Sequence, residues 1–165
     1  MMFKKIAAAA ALVIASSSAF AAQPNTFYAG VDLGKTKIDD ASGRETSYGM
    51  FAGYNFAPNL AVEANLRRLG EVNFYGYEVK AEQFGVSLVG TMPLQNGFNL
   101  FGRVGGNRLE AKTRANGVSF SDSTTKFMYG VGVGYAFTPA VSARLELQKP
   151  ASDTTNLSIG VAYQF

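Results

Sequence analysis

NLSIGVAYQF, residues 156–165, is the stretch whose reading decides the fold. Leu157, Ile159, Val161, Tyr163 and Phe165 alternate with Asn156, Ser158, Gly160, Ala162 and Gln164. An extended strand turns successive side chains to opposite faces, so one face is wholly apolar and ends in two aromatic rings. The other face is small or polar. In a soluble protein the apolar face would cover a core. Here the apolar row runs to the last residue, where soluble chains fray into polar disorder. A transmembrane β-strand fits better, with Tyr163 and Phe165 at the level of the lipid headgroups.

The same alternation recurs upstream. Phe127, Tyr129, Val131, Val133, Tyr135 and Phe137 interleave with Met128, Gly130, Gly132, Gly134 and Ala136. Thr138-Pro139-Ala140 turns the chain into Val141, Ala143, Leu145 and Leu147, set against Ser142, Arg144, Glu146 and Gln148. Near the start, Phe27, Ala29, Val31 and Leu33 oppose Tyr28, Gly30, Asp32 and Gly34. The second strand, Thr46 to Phe56, keeps the pattern apart from Phe51, an apolar residue on the small face. Leu60, Val62, Ala64 and Leu66 oppose Ala61, Glu63, Asn65 and Arg67. A fourth row holds Phe84, Val86, Leu88, Gly90 and Met92, and a fifth holds Leu100, Gly102 and Val104 opposite Asn99, Phe101, Arg103 and Gly105.

The total is eight strands of about ten residues, the length that crosses the hydrocarbon when tilted. Short connections at 57–59, 93–97 and 138–140 alternate with mostly longer polar ones at 36–45, 69–79 and 110–124, and with 149–153. Residues 69–79 read as a loop or a strand extension. The expected fold is therefore all-β: an eight-stranded antiparallel up-and-down transmembrane β-barrel with tight periplasmic turns and outer loops. Eighteen glycines, 13 Phe and 8 Tyr suit closely approaching strands with aromatic bands.

Lys4 and Lys5, the apolar run from Ile6 to Ala15, and Ala19-Phe20-Ala21 read as a signal peptide. Residues 1–21 are then cleaved, leaving 22–165 as one barrel domain in the bacterial outer membrane. Losing two lysines brings the formal charge of +3 close to zero, which argues against a nucleic-acid partner. There is no Cys for a disulfide scaffold, and no mature stretch is long and apolar enough for a helical span. The aromatics sort to two levels. Phe27, Tyr54, Phe56, Tyr135, Phe137, Tyr163 and Phe165 fall near the short-turn end, and Tyr48, Phe84, Phe127 and Tyr129 near the loop end. Two belts flanking an aliphatic band are what a bilayer's interfaces select.

YAGVDLG at residues 28–34, YNFAPNLAVEANL at 54–66 and TPAVSARLELQ at 138–148 together resemble the OmpA-type eight-stranded membrane domain. The resemblance spans essentially the whole mature chain. Larger OmpA proteins carry a peptidoglycan-binding domain after the eighth strand. This chain stops at Phe165 and so looks more like the barrel-only members, including OmpX-like and opacity-type surface proteins. The implied protein is a monomer with no cofactor, embedded in outer-membrane lipid and lipopolysaccharide. Its last strand, ending in Phe165, would be offered to the barrel-assembly machinery.

With apolar side chains outward, Asp32, Glu63, Arg67, Arg103, Arg144 and Glu146 point into the lumen. An outward Arg at mid-membrane depth costs about 2–4 kcal/mol. Counted from the short turns, Asp32, Glu63, Arg103 and Arg144 are expected to share one level. An eight-stranded interior is just wide enough for side chains to fill, so a paired cluster plugs it. In OmpA-like domains a luminal salt-bridge cluster has been given a gating role, which the resemblance carries to Glu63 and Arg144. The chain departs from the family pattern at Asp32, where a lysine is expected, and at Gly134, where a glutamate is. A structural plug and a gate for ions or very small solutes therefore both stand open.

An enzyme is not expected. With no His and no Cys the usual bases and thiol nucleophiles are missing, and no metal-ligand cluster is visible. Two outer-loop roles remain. Arg108, Lys112, Arg114 and Lys126 are candidate contacts for lipopolysaccharide phosphates, and Tyr75, Tyr77 and Phe120 for a host or phage surface partner. Solvated loops without a partner are the plain alternative.

Overall fold

The computed structural model describes residues 23–38, 45–74, 77–115 and 118–165; side chains at 38, 70–81 and 111–122 lie outside the description, as does the expected signal peptide. Eight strands follow in chain order: β1 (Thr26–Ile38), β2 (Glu45–Ala57), β3 (Leu60–Phe74), β4 (Tyr77–Pro93), β5 (Phe98–Ala115), β6 (Val118–Ala136), β7 (Val141–Ala151) and β8 (Thr154–Gln164). Each pairs antiparallel with its neighbours, and β8 closes on β1 from Tyr28↔Gln164 to Ile38↔Thr154, giving a closed barrel. Closure leaves no sheet edge in the hydrocarbon, where each unpaired backbone group costs several kcal/mol.

The faces divide as the alternation requires. Val31 is 63% exposed, Ile159 61% and Val131 60%, while Glu63 is 0% and Arg103 2% exposed. Charges inside and aliphatics outside invert a soluble protein. The periplasmic turns are short; one 3-10 turn, Gln95–Gly97, links β4 to β5.

Phe51 has a steric explanation. Gly30 and Phe51 are register partners across β1 and β2, and so are Tyr28 and Gly53. A Cβ on Gly30 would stand 2.3 Å from the Phe51 ring, and one on Gly53 2.2 Å from the Tyr28 ring. The two rings thus lie on each other's glycine in a reciprocal lock, with centroids 6.3 Å apart. Aromatic cover of this kind compensates the side-chain contacts that glycine cannot make in a strand. Phe101 covers its partner Gly132 in the same way.

The outer connections differ from expectation. Residues 110–124, expected to be a long polar connection, are almost all strand: β5 runs to Ala115 and β6 starts at Val118. Ala115 pairs with Val118. Likewise β3 and β4 extend to Phe74 and from Tyr77, so 69–79 is strand extension rather than loop over its described residues. Above the membrane both faces of a ladder meet water. Apolar alternation disappears there while backbone pairing continues.

These extensions are one-sided. Pairing of β2 with β3 reaches Tyr48↔Arg68, and pairing of β6 with β7 reaches Tyr129↔Lys149. By contrast β3–β4 pair to Phe74↔Tyr77, β4–β5 to Glu78↔Arg114 and β5–β6 to Ala115↔Val118. A four-stranded sheet therefore stands above one side of the barrel.

Gly53→Leu drives a side chain into the Tyr28 ring, and overpacking of this kind typically costs about 1–3 kcal/mol. We expect a lower yield of the heat-shifted folded band on gels, partly recovered by adding Tyr28→Ala. Equal yields for the wild type and both variants would contradict the lock.

Candidate functional site

The luminal charges form two clusters. In the cluster nearer the short turns, Glu63 accepts hydrogen bonds from Arg144 Nη1 at 2.7 Å, Arg144 Nη2 at 3.2 Å and Tyr28 Oη at 2.9 Å, and also pairs with Arg103. Glu146 pairs with Arg103 Nε at 3.0 Å and Arg144 Nη2 at 3.6 Å. The Arg144 guanidinium carbon lies 3.4 Å from the Phe51 ring centroid and 5.9 Å from that of Phe101. A planar cation between two ring faces gains from both quadrupoles. Phe51 and Phe101 thus fill the lumen and seat the arginine that bridges two carboxylates.

Asp32 belongs to the second cluster, paired with Arg67 rather than with the arginines around Glu63. Its register row runs through Gly49 to Arg67 on one side and through Gly160 to Arg144 on the other. Arg67 Nε and Nη2 donate to the two Asp32 oxygens at 3.0 and 2.9 Å, a bidentate pair. Arg67 Nη1 also donates to Asn156 Oδ1 at 2.9 Å and to Gln148 Oε1. Asn156 in turn donates to Thr36 Oγ1 at 2.9 Å and Ser47 Oγ at 2.6 Å.

All six charged side chains thus have opposite-charge partners. Unpaired, each would carry a desolvation cost of several kcal/mol. The neutral residues that complete the two clusters, Tyr28, Phe51, Gln148 and Asn156, were not singled out as site residues from sequence. Each occupies a position of luminal parity on its strand, and that parity is the signal that finds them.

The outer surface carries the aromatics at two levels. Phe27 lies 4.8 Å from Tyr54 and 6.4 Å from Phe165 between ring centroids, and Tyr135 5.0 Å from Phe137. Tyr163 stacks on Phe165 at 6.4 Å, and Phe56 is exposed nearby. Phe98, absent from the expected belt, joins it 4.8 Å from Tyr135. At the other end Phe127 and Tyr129 are 6.3 Å apart, Phe84 is exposed, and Arg68 caps the Tyr48 ring at 5.5 Å.

Of the basic candidates, Arg108 and Lys126 are exposed, and Arg108 donates to Ser123 Oγ at 2.8 Å. Lys112 and Arg114 fall in β5, but their side chains lie outside the described residues. Tyr75 lies outside them too, as do the side chains of Tyr77 and Phe120. Among the described residues no group of three or more His, Cys, Asp or Glu is placed to hold a metal ion.

Glu63→Ala leaves two buried guanidiniums sharing Glu146, whereas Asp32→Ala leaves Arg67 with neutral partners only. Removing one partner of a buried pair costs about 3–5 kcal/mol, so each substitution is expected to lose stability on that scale. Urea unfolding of vesicle-reconstituted protein measures both; an unchanged midpoint for Glu63→Ala would contradict the assignment of Glu63 as the shared acceptor.

Residues 7–165 match the family model described as outer membrane protein beta-barrel domain. No curated protein matches the chain. Similar solved structures include Neisserial surface protein A, with TM-score 0.70 and 19% identity over 85% of this chain and 96% of that one. The attachment invasion locus protein Ail of Yersinia pestis has TM-score 0.60 and 18% identity over 87% of this chain and 100% of its own. The N-terminal β-barrel domain of Pseudomonas aeruginosa OprF has TM-score 0.64 and 13% identity over 84% and 97%. At these identities the likeness is one of fold.

Proposed function

The chain belongs to the outer membrane protein beta-barrel domain family and resides in the bacterial outer membrane, and on that premise we propose that it is a plugged, monomeric envelope barrel that supports membrane integrity and presents a surface for contact outside the cell. The observation that carries this reading is the complete pairing of the six luminal charges, with Phe51 and Phe101 packed on Arg144. Filled and neutralised, such a lumen favours a stable wall over a conduit.

The one-sided sheet of β3–β6 supports the contact role, since it extends past the rest of the barrel. Its partner would be a host or phage surface molecule. The similar barrel of Ail is that of an attachment invasion locus protein. Arg108 and Lys126, with Arg68 at the outer aromatic level, are suited to lipopolysaccharide phosphates as point charges and forks. During assembly, β8 would be the strand engaged by the barrel-assembly machinery, its Phe165 packed among Phe27 and Tyr163. We assign no catalysis: the chain has no His, and Cys is absent as well.

A gated pore is the second reading, and one observation favours it. Arg144 contacts both Glu63, at 2.7 Å, and Glu146, at 3.6 Å, so a partner exchange needs only a small side-chain movement. Planar-bilayer recording of the refolded protein separates the two. We expect no sustained openings. Sustained openings abolished by Glu63→Gln or Arg144→Met would establish the pore instead.

A further inference from the structure

On the lipid-facing wall of β3, β4 and β5 lies a recess that no described side chain fills. Its floor is Gly90 and Gly102, direct partners across β4 and β5, on the same face as exposed Leu88 and Leu100. A Cβ on Gly90 would stand 3.9 Å from Leu60 Cδ2, and one on Gly102 3.9 Å from the Gly130 carbonyl oxygen. Nothing outside their chain neighbours would come closer. Luminal glycines behave otherwise, since the rings of Phe51, Tyr28 and Phe101 lie on Gly30, Gly53 and Gly132. Inside the barrel a neighbour's ring replaces the missing side chain, whereas over Gly90 and Gly102 nothing from the chain does. Glycine within a strand often marks the close approach of a ligand or another backbone.

Large side chains wall the recess. Leu60 is the partner of Gly90 on β3, and Met92 and Leu100 pair with each other one outward step nearer the short turns. All three are exposed, so they flank the floor rather than cover it. The groove they form has a volume of about 560 Å³. Sites for small ligands typically fall at roughly 300–1,000 Å³. Its lining is apolar except beside the turn between β2 and β3, where Asn59 and Thr91 meet it. The Asn59 carbonyl accepts a hydrogen bond from the Thr91 N–H at 2.9 Å, which fixes that turn against β4. Polarity therefore runs along the groove, from oily over the glycines to an amide at the periplasmic rim.

We propose that this groove seats one acyl chain of a phospholipid from the periplasmic leaflet, with the lipid's ester region beside Asn59. The floor lies at hydrocarbon depth, so its occupant must be apolar there. At the rim the Asn59 amide both donates and accepts, which suits ester carbonyls and the phosphate oxygens beyond them. A second barrel fits the shape less well. Two convex cylinders touch along a line, and a recess on that line stays empty unless a side chain projects into it. A slender, flexible chain enters along its own length. Surrounding lipid is as apolar as the groove, so the gain comes from van der Waals contact rather than from leaving water. The preference over the rest of the wall is accordingly several-fold. It depends on the outer wall alone and holds whether the lumen is a plug or a pore.

The test uses the full chain folded into phosphatidylethanolamine–phosphatidylglycerol vesicles with a trace of phosphatidylethanolamine bearing a diazirine in one acyl chain. Illumination attaches the lipid where its chain lies, and mass spectrometry locates the adducts. We expect labelling of Leu60, Met92 and Leu100 several-fold above that of Val161 and Tyr163, which face lipid on β8 near the same rim. Gly102→Leu projects a side chain into the recess from a lipid-facing position. The heat-shifted folded band is expected to persist while the excess labelling falls to the β8 level, and Gly90→Leu is expected to act alike. Equal labelling of the two walls in the wild-type protein overturns the proposal, whether or not either variant folds. So does an excess that survives in a folded variant. Labelling below the β8 level, with barrel dimers captured by chemical cross-linking, would assign the groove to a second copy and also overturn it.

Discussion

Hydrocarbon offers no partner to a peptide N–H or C=O, and the whole structure follows from that. Every backbone group at membrane depth must be satisfied by the chain itself, which for strands means a closed sheet. Pairing of β8 with β1 meets the condition. Once the cylinder is closed, period-two alternation dictates the rest: one face of each strand meets lipid, and the other has nowhere to go but the interior.

The interior is therefore where all membrane-level polarity collects, and at eight strands it is narrow. Six charges in that volume are tolerable only as pairs. The two clusters solve the problem differently. Arg67 and Asp32 form a bidentate pair whose leftover donors are absorbed by Asn156 and Gln148. Glu63 instead serves two arginines at once, with Glu146 taking up the remaining positive charge. Rings laid on glycines fill what remains, so packing and electrostatics meet at Arg144 over Phe51.

Strand identity, facing and the closed fold were legible in the residues wherever the membrane imposed a contrast. The row from Leu157 to Phe165 reads correctly because lipid on one side and lumen on the other leave opposite signatures. Beyond the outer aromatics that contrast vanishes, so residues 110–124 read as a polar connection although β5 runs to Ala115 and β6 starts at Val118. The luminal membership of Asp32, Glu63 and the four other charges follows from parity alone. Their division into two clusters does not, because it depends on stagger between strands, which no single strand's sequence records. Phe51 looked like an error in the pattern for a related reason: its meaning lies in Gly30 on the neighbouring strand.

Seven of the eight strand pairings join segments adjacent along the polypeptide, and one, β1 with β8, joins its extremes. The entropic expense of assembly is thus concentrated in a single seam, since hairpins form over short contours and ring closure spans nearly the entire contour. Until that seam zips, two raw flanks persist, one on each terminal ribbon, both hungry for amide partners. The order of events is built into the topology: a growing curl of ribbons must be sheltered as it bends, and release into the bilayer has to await the last ribbon's arrival.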